Sequence, residues 1–325
     1  MIVPKRMKAV ITAKYGAPDV LVMKDISVPS ISATDVLIKV YAASVTFGDV
    51  RLRGAIFPKG FGTLGKLMFG FDGPKKQVLG VDFAGIIVAV GEQVTRFTVG
   101  DKVFGIDGND MGAYAEYKRA GKNVAMSKMP ENMSFEEAAS LVFGGSASLG
   151  YLKHKVQIKR GDKLLINGAS GAVGTASVQI AKHFGAIVTA VCSKKNAALV
   201  TSLGADSVVD YSEQNVSDLT ESFDIILDAV RNLTYKDIKS IMNPKGKFLA
   251  LAGGLDTMLS SLTNGAIIAG EAGERSSDME LLKDFAEAGV IVPVIDKVYD
   301  FADIQQAHAY VEKGHKIGNV ILRIH

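Results

Sequence analysis

The stretch Lys163-Leu164-Leu165-Ile166-Asn167-Gly168-Ala169-Ser170-Gly171-Ala172-Val173-Gly174 begins as an apolar run, passes through a glycine-rich turn and leads into a helical pattern ending near Phe184. It reads as a strand, a turn and a helix. Such a turn brings backbone N–H groups at a helix N-terminus up to a phosphate, where unpaired donors and the positive end of the helix dipole both favour an anion. The ligand this predicts is a dinucleotide, held by Ser170, Gly171, Ala172, Val173 and Gly174. Glycine is needed at Gly171 so that the pyrophosphate can approach the backbone, and at Gly174 so that the helix can lie close to the strand. Ala169 falls on the first glycine position of the usual pattern, with Gly168 as an extra glycine beside it. The turn alone is equally readable as a plain strand-to-helix connection, and its surroundings decide.

Those surroundings alternate. The helix turns Val173, Ala176, Ile180 and Phe184 inward, and the apolar segment Ile187-Val188-Thr189-Ala190-Val191-Cys192 follows it. Strand-like segments recur at 207–210, 223–227 and 247–251, separated by helical segments around 197–203 and 235–242. Nearly continuous β-branched strands alternating with helices predict a parallel sheet buried on both faces, a Rossmann arrangement of the α/β class.

At 325 residues the chain exceeds the usual size of one core, which predicts two domains. Its composition, 48% hydrophobic and 22% charged, is that of a packed globular protein, and a net charge of +3 gives no electrostatic case for a nucleic-acid partner. No apolar run reaches the roughly 18 to 20 residues of a membrane span, and Met1–Val10 lacks the apolar core of a signal peptide. A cytoplasmic protein is the expectation. The single cysteine, Cys192, excludes an internal disulfide and a zinc site built from several thiolates. At the end of an apolar strand it reads as core.

Residues 1 to about 125 have a different grain. Apolar or alternating strands at 9–11, 36–40, 83–90 and 102–105, with glycine turns between them, predict a small β-rich domain. Here the motifs Leu79-Gly80-Val81-Asp82-Phe83-Ala84-Gly85, Val90-Gly91-Glu92-Gln93-Val94, Gly100-Asp101-Lys102-Val103 and Gly112-Ala113-Tyr114-Ala115-Glu116-Tyr117 stand in order. Gly161-Asp162, Gln179, Lys182 and the segment Gly314-His315-Lys316-Ile317-Gly318-Asn319-Val320 continue the series. Over nearly its full length the chain resembles the medium-chain dehydrogenase/reductases of the zinc-independent quinone oxidoreductase (zeta-crystallin-like) branch. The resemblance implies a GroES-like catalytic domain over 1–125, completed by about 290–325, with a Rossmann cofactor domain inserted over 126–289. Substrate and nicotinamide would then meet in the cleft between them, near the carboxyl ends of the parallel strands.

The resemblance also implies site residues. It puts Thr46 in the wall of the cleft, where the family more often has asparagine, and Gly144-Gly145-Ser146 on the helix joining the domains. Thr46 and Ser146 are the hydroxyl candidates for catalysis. Ala252, Gly253 and Gly254 would bring backbone near the nicotinamide amide, and Lys316 and Asn319 would lie on the cofactor. A homodimer joined at the edge of the cofactor sheet, around Ala266-Ile267-Ile268-Ala269, is implied as well.

No metal is expected. Zinc enzymes of the same superfamily polarise the substrate oxygen with a Lewis acid on Cys, His and Glu ligands. Where they read Gly-His-Glu this chain reads Gly80-Val81-Asp82, and its five histidines show no ligand spacing.

The cofactor expected is NADPH. An NAD site places an acid roughly 20 residues after the glycines to bind the ribose 2′-hydroxyl. That place holds Ser193-Lys194-Lys195-Asn196, and no Asp or Glu occurs between Asp162 and Asp206. Two lysines and a hydroxyl suit a 2′-phosphate, and Tyr211 resembles a family residue beside that phosphate. The same lysines also read as a solvated helix start.

The segment 54–74 is rich in glycine and apolar side chains, among them Phe57, Phe61, Leu64, Leu67, Met68, Phe69 and Phe71. It reads as too irregular for a strand or an amphipathic helix. A loop of that kind must cover a small hydrophobic substrate, a partner subunit or its own barrel.

The function expected is hydride transfer from NADPH to a quinone or an α,β-unsaturated carbonyl compound. A zinc-free alcohol or aldehyde oxidoreductase and an NADPH-binding regulator without turnover are the alternatives.

Overall fold

The apolar segments of the N-terminal third become strands because each has one or both faces to bury. In chain order they are β1 (Arg6–Thr12), β2 (Leu21–Ser27), β3 (Val36–Ser44), β4 (Asp82–Val90), β5 (Lys102–Ile106), β6 (Tyr117–Ala120) and β7 (Ala125–Lys128). Helices α1 (Phe47–Arg53) and α2 (Gly62–Phe69) lie between β3 and β4, and α3 (Phe135–Ser148) follows β7. This computed structural model describes residues 3–57, 60–251 and 253–325, which divide into two units.

The second unit carries the alternating pattern. Its strands are β8 (Lys163–Asn167), β9 (Ile187–Cys192), β10 (Ser207–Asp210), β11 (Phe223–Asp228), β12 (Met242–Ala250) and β13 (Ile267–Ile268). Helices α4 (Ala172–His183), α5 (Ala197–Ser202), α6 (Tyr235–Ile238) and α7 (Leu255–Thr263) connect most of them. All pairs are parallel, in the order β10-β9-β8-β11-β12-β13. Leu164, Leu165 and Ile166 are wholly buried, as a central parallel strand requires. The chain steps from β8 outward to β9 and β10, then returns to the other side of β8 with β11. The switch point therefore lies between β8 and β11, and it is outside the carboxyl ends of strands at such a point that open α/β sheets bind ligands.

The chain then returns to the first unit with α8 (Ser276–Glu287), β14 (Ile295–Asp300), α9 (Ile304–Glu312) and β15 (Asn319–Arg323). There a seven-stranded sheet runs β14-β15-β3-β4-β5-β7, with β6 also paired to β3, and β1 and β2 form a separate hairpin. β3 is its pivot: it pairs with β4, through Val36–Lys39 with β6 and through Ala42–Ser44 with β15. The core beneath it contains Ile38, Leu79, Phe83, Ile87, Tyr114 and Val320, all fully buried. Each large apolar side chain sequestered in this way contributes about 1.5 to 3 kcal/mol.

The unit boundaries differ from those expected at 125 and 290. The first unit runs on to Phe143 and resumes at Glu274. The reason is packing: α8 lies against β7, and the connection after β7 is tied to it by Asn132 Nδ2 donating to Ala286 O and Glu131 N donating to Glu287 Oε1.

The segment 54–74 is more regular than expected, because residues 62–69 form α2. Phe57 stacks on Phe69, meets Tyr15 edge-on and lies against Gly65, so these parts of the segment are seated on the first unit, whereas Gly60 and Phe61 group with the second. Leu64, Leu67, Met68 and Phe71 remain exposed. Pro58 and Lys59 lie outside the described residues. Among the described residues no helix is long and apolar enough to cross a membrane.

Candidate cofactor and active site

The glycine turn joins β8 to α4 with a division of labour that the sequence reading placed one residue away. Gly168 has φ +82, the left-handed conformation, so the tight turn is made there and not at Ala169. Gly168, Gly171 and Gly174 thus form a G-x-x-G-x-x-G turn. At Gly174 an added Cβ would lie 2.2 Å from Gly168 O and 2.6 Å from Ala169 Cα, which shows how closely the helix approaches the turn. At Gly171 an added Cβ would meet only Gly168 O, at 3.5 Å, and otherwise open space. Gly171 is the N-cap of α4 and makes no side-chain cap bond, and the first N–H groups of the helix, on Ala172, Val173 and Gly174, have no partner within the helix. An anion fits there, and a dinucleotide pyrophosphate is an anion of the right kind.

Ser170 is joined to the next cofactor loop by a residue that sequence reading did not single out as a ligand: Asn196 Nδ2 donates to Ser170 Oγ at 3.0 Å. Asn196 follows Ser193, Lys194 and Lys195 in a short 3₁₀ turn after β9, and its N–H donates to Ser193 O. Lys195 is exposed, and Lys194 Nζ lies 3.2 Å from Glu213 Oε1, both side chains being largely in solvent. The sequence interval free of acids is therefore not free of them in space. Asp210 pairs with Cys192 across β10 and β9, and hydrogen bonds from Ser212 hold its carboxyl below the usual range. Tyr211 is half exposed beside it, with its N–H donating to Cys192 O.

Around α4 a second residue went unnoticed in the sequence. Ser148 Oγ bonds to Ser177 Oγ at 2.8 Å and to Gly144 O at 2.7 Å, linking the end of α3 to α4. An added Cβ on Gly144 would stand 2.3 Å from Ala172 O, so the helices touch. Ser146 is buried in the same stretch. Gly254 is the N-cap of α7 and Gly253 abuts Thr257, whereas Ala252 lies outside the described residues.

In the first unit, Thr46 caps α1. Its N–H and hydroxyl donate to Asp49 Oδ2, and Asp49 N donates back to Thr46 Oγ1. Asp49 Oδ1 accepts from Gly80 N. Asp82, read in sequence only for the histidine missing beside it, is wholly buried and accepts from the N–H and hydroxyl of Ser44. Burial pushes its carboxyl up to about 7 against those hydrogen bonds, and the neighbouring Asp49 charge adds to the rise. Burial also raises Asp49, and Tyr114, whose hydroxyl donates to Ser44 O, is pushed well above its ordinary value. Lys316 Nζ donates to Gly318 O, and burial brings its ammonium down to about 8 although Asp296 and Asp82 pull the other way. Asn319 clamps Val294 O through both its N–H and its side-chain amide. Among the described residues no group of three or more His, Cys, Asp or Glu side chains could hold a metal ion.

Two family models match the chain: an alcohol dehydrogenase GroES-like domain over residues 32–160 and a zinc-binding dehydrogenase over residues 203–322. It is 33% identical to the 2-methylene-furan-3-one reductase of Solanum lycopersicum, over 98% of this chain and 80% of that protein. It is 31% identical to the chloroplastic NADPH-dependent alkenal/one oxidoreductase of Arabidopsis thaliana, with the same coverage of 98% and 80%. The solved structure of the quinone oxidoreductase from Coxiella burnetii matches with a TM-score of 0.87 at 27% identity, covering 99% of this chain and 100% of that one.

Proposed function

Because the chain belongs to the medium-chain dehydrogenase/reductase superfamily, in its zinc-independent quinone oxidoreductase branch, we propose that it transfers hydride from NADPH to a quinone or an α,β-unsaturated carbonyl compound. The observation that carries this reading is the turn at the switch point, where Gly171 leaves room for a pyrophosphate in front of an uncapped helix. The names of the relatives supply the acceptor: one reduces a ring ketone carrying a conjugated methylene group, another is an alkenal/one oxidoreductase.

Ser193, Lys194 and Lys195 support NADPH over NADH, since cations and a hydroxyl suit a 2′-phosphate. The bound reduced nicotinamide supplies the hydride. The N–H groups of Ala172, Val173 and Gly174 hold the pyrophosphate, and Gly253 and Gly254 are assigned to the nicotinamide side. Lys316 and Asn319 belong to the cofactor wall in this reading. Thr46 and Ser146 orient the reactants; with its proton committed to Asp49, the Thr46 hydroxyl is not an acid for the reaction.

Reduction of a simple ketone builds charge on one oxygen and demands strong local stabilisation. A quinone or enone spreads the incoming charge over a conjugated system, so positioning with a few donors suffices and water supplies the later proton. NADPH oxidation should therefore be much faster with an enone than with its saturated ketone at matched concentration. Equal or faster reaction of the saturated ketone would replace this reading with a zinc-free carbonyl reductase. Tight NADPH binding without oxidation by any quinone, enone or aldehyde would make the protein a regulator. A cytosolic setting and a homodimer paired along the outer edge of β13 complete the proposal, the latter supported by β13 being the last strand of its sheet.

A further inference from the structure

The loop after β11 faces the glycine turn across the switch point, and it holds a residue that the function above does not use. Arg231 has φ +72, a conformation that costs a residue with a Cβ about 1 to 2 kcal/mol. The surroundings impose it. Asp228, at the end of β11, accepts from Val230 N at 3.0 Å, Arg231 N at 2.9 Å and Leu233 N at 3.1 Å. The same carboxylate takes Asn167 Nδ2 from the end of β8 at 2.9 Å, and Asn167 also donates to Asn232 Oδ1. The loop is pressed onto the phosphate turn, for an added Cβ on Gly168 would stand 2.5 Å from Val230 Cγ2.

With Asp228 occupied by these donors, the Arg231 guanidinium takes part in none of the ion pairs among the described residues. Its Nε is buried without a hydrogen-bond partner, and burial alone lowers its affinity for its proton. A guanidinium does not escape by deprotonating, so a partly buried one without a counter-charge is an expense that an anion would offset. Strained residues held in this way cluster at ligand clamps. The open sheet places its ligand at this switch point, and the ligand inferred there carries phosphates.

We propose that Arg231 is a cofactor-binding residue whose guanidinium pairs with a phosphate of the dinucleotide. This rests on the reading of the site as a nicotinamide dinucleotide site. The phosphate is either the pyrophosphate at the glycine turn or the 2′-phosphate of NADPH, and the two differ in their consequences. Substituting Arg231→Gly removes the cation and relieves the backbone strain in one step, so the variant folds at least as well as the native chain. A merely structural Arg231 would leave binding untouched.

The test is calorimetric titration of the native chain, Arg231→Gly and Arg231→Lys with NADPH, NADH, 2′,5′-ADP and 5′-AMP, with thermal midpoints for each protein. Arg231→Gly should weaken NADPH by about tenfold or more, with Arg231→Lys recovering part of the loss. Loss confined to NADPH and 2′,5′-ADP assigns the 2′-phosphate, and loss shared by NADH and 5′-AMP assigns the phosphates at the turn. Unchanged affinities for all four in Arg231→Gly, with its thermal midpoint unchanged or raised, would overturn the proposal. A native chain that binds none of the four would instead overturn the dinucleotide reading itself.

Discussion

Thr46 and Asp49 bind each other reciprocally: the threonine hydroxyl donates to Asp49 Oδ2 at 2.6 Å while Asp49 N donates to Thr46 Oγ1 at 3.1 Å. Two otherwise unpaired donors at the start of α1 are satisfied in this way, and both residues are buried. Thr46→Val should therefore cost about 1 kcal/mol of stability through the lost cap, whereas Thr46→Ser should retain it. Turnover of Thr46→Val should fall only modestly. Chemical denaturation alongside NADPH-oxidation assays checks both; a variant of native stability with no activity would give the hydroxyl a direct part in the reaction.

Gly171 and Gly174 separate binding from folding. The Cβ of Gly171→Ala enters open space, so stability should change by less than about 1 kcal/mol while NADPH affinity falls by about tenfold or more. The Cβ of Gly174→Ala meets the backbone of Gly168 and Ala169, and overpacking of that kind should cost about 1 to 3 kcal/mol. Thermal melts with and without NADPH distinguish the two. A Gly171→Ala protein that still gains the native thermal shift from NADPH would contradict the site.

Lys194 and Lys195 should set cofactor preference. The native chain should bind NADPH at least about tenfold more tightly than NADH, equivalent to about 1.4 kcal/mol. Replacing both lysines by alanine should erode that ratio with little change for NADH. Glu213→Gln, which frees Lys194, should strengthen NADPH slightly, because an exposed pair contributes little. Equal binding of both cofactors by the native protein would remove the preference.

His308 gives the first unit a pH-dependent stability. It is fully buried against the Tyr114 ring with neither ring nitrogen hydrogen-bonded, and Arg53 lies close enough to oppose its charge. Arg53, itself buried, is bonded to Glu312, on the same helix as His308. Burial first, and Arg53 second, bring the His308 imidazolium down to about 3 from an ordinary 6.5. Between those values the unfolded chain binds a proton that the folded chain does not. The stabilisation is thus fully present above about 6.5 and is lost as pH falls toward 3, a total on the order of 5 kcal/mol. Denaturation midpoints at pH 5 and pH 7.5 should show it, and His308→Leu should flatten the slope between them.

The cofactor unit was legible because its strands announce themselves. Lys163–Asn167 and Ile187–Cys192 are short apolar runs bounded by turns, and burial on both faces leaves them little choice of register. The glycine turn was legible as a turn, but its register was not, since only the observed φ of Gly168 distinguishes it from Ala169. Asn196 and Ser148 stayed hidden for a common reason. Each acts through a partner distant in sequence, and no local periodicity encodes such a pair. Helix α2 was missed because Gly62 and Gly65 weaken its helical signal, although Leu64, Leu67 and Met68 fall on one face at i, i+3 and i+4; Gly65 packs on Phe57 while that face looks to solvent. Resemblance placed Thr46 near the chemistry, yet its capping box was already written as Thr46-Phe47-Gly48-Asp49, a hydroxyl followed three residues later by an acid.

The pairing of β15 with β3 orders events during synthesis. Residues 45 to 318 emerge from the ribosome between the two partners, and until Asn319–Arg323 arrives the Ala42–Ser44 end of β3 has an unpaired edge. β15 is no ornament on the rim, because it joins the edge strand β14 to β3. The first unit is therefore begun early and finished late. A free chain of that length would make closure entropically expensive, but the intervening cofactor unit forms its parallel sheet from its own residues alone. Once that unit has folded, fewer loose residues separate the two pieces of the first unit, and the entropy still to be given up when β15 closes onto β3 is smaller.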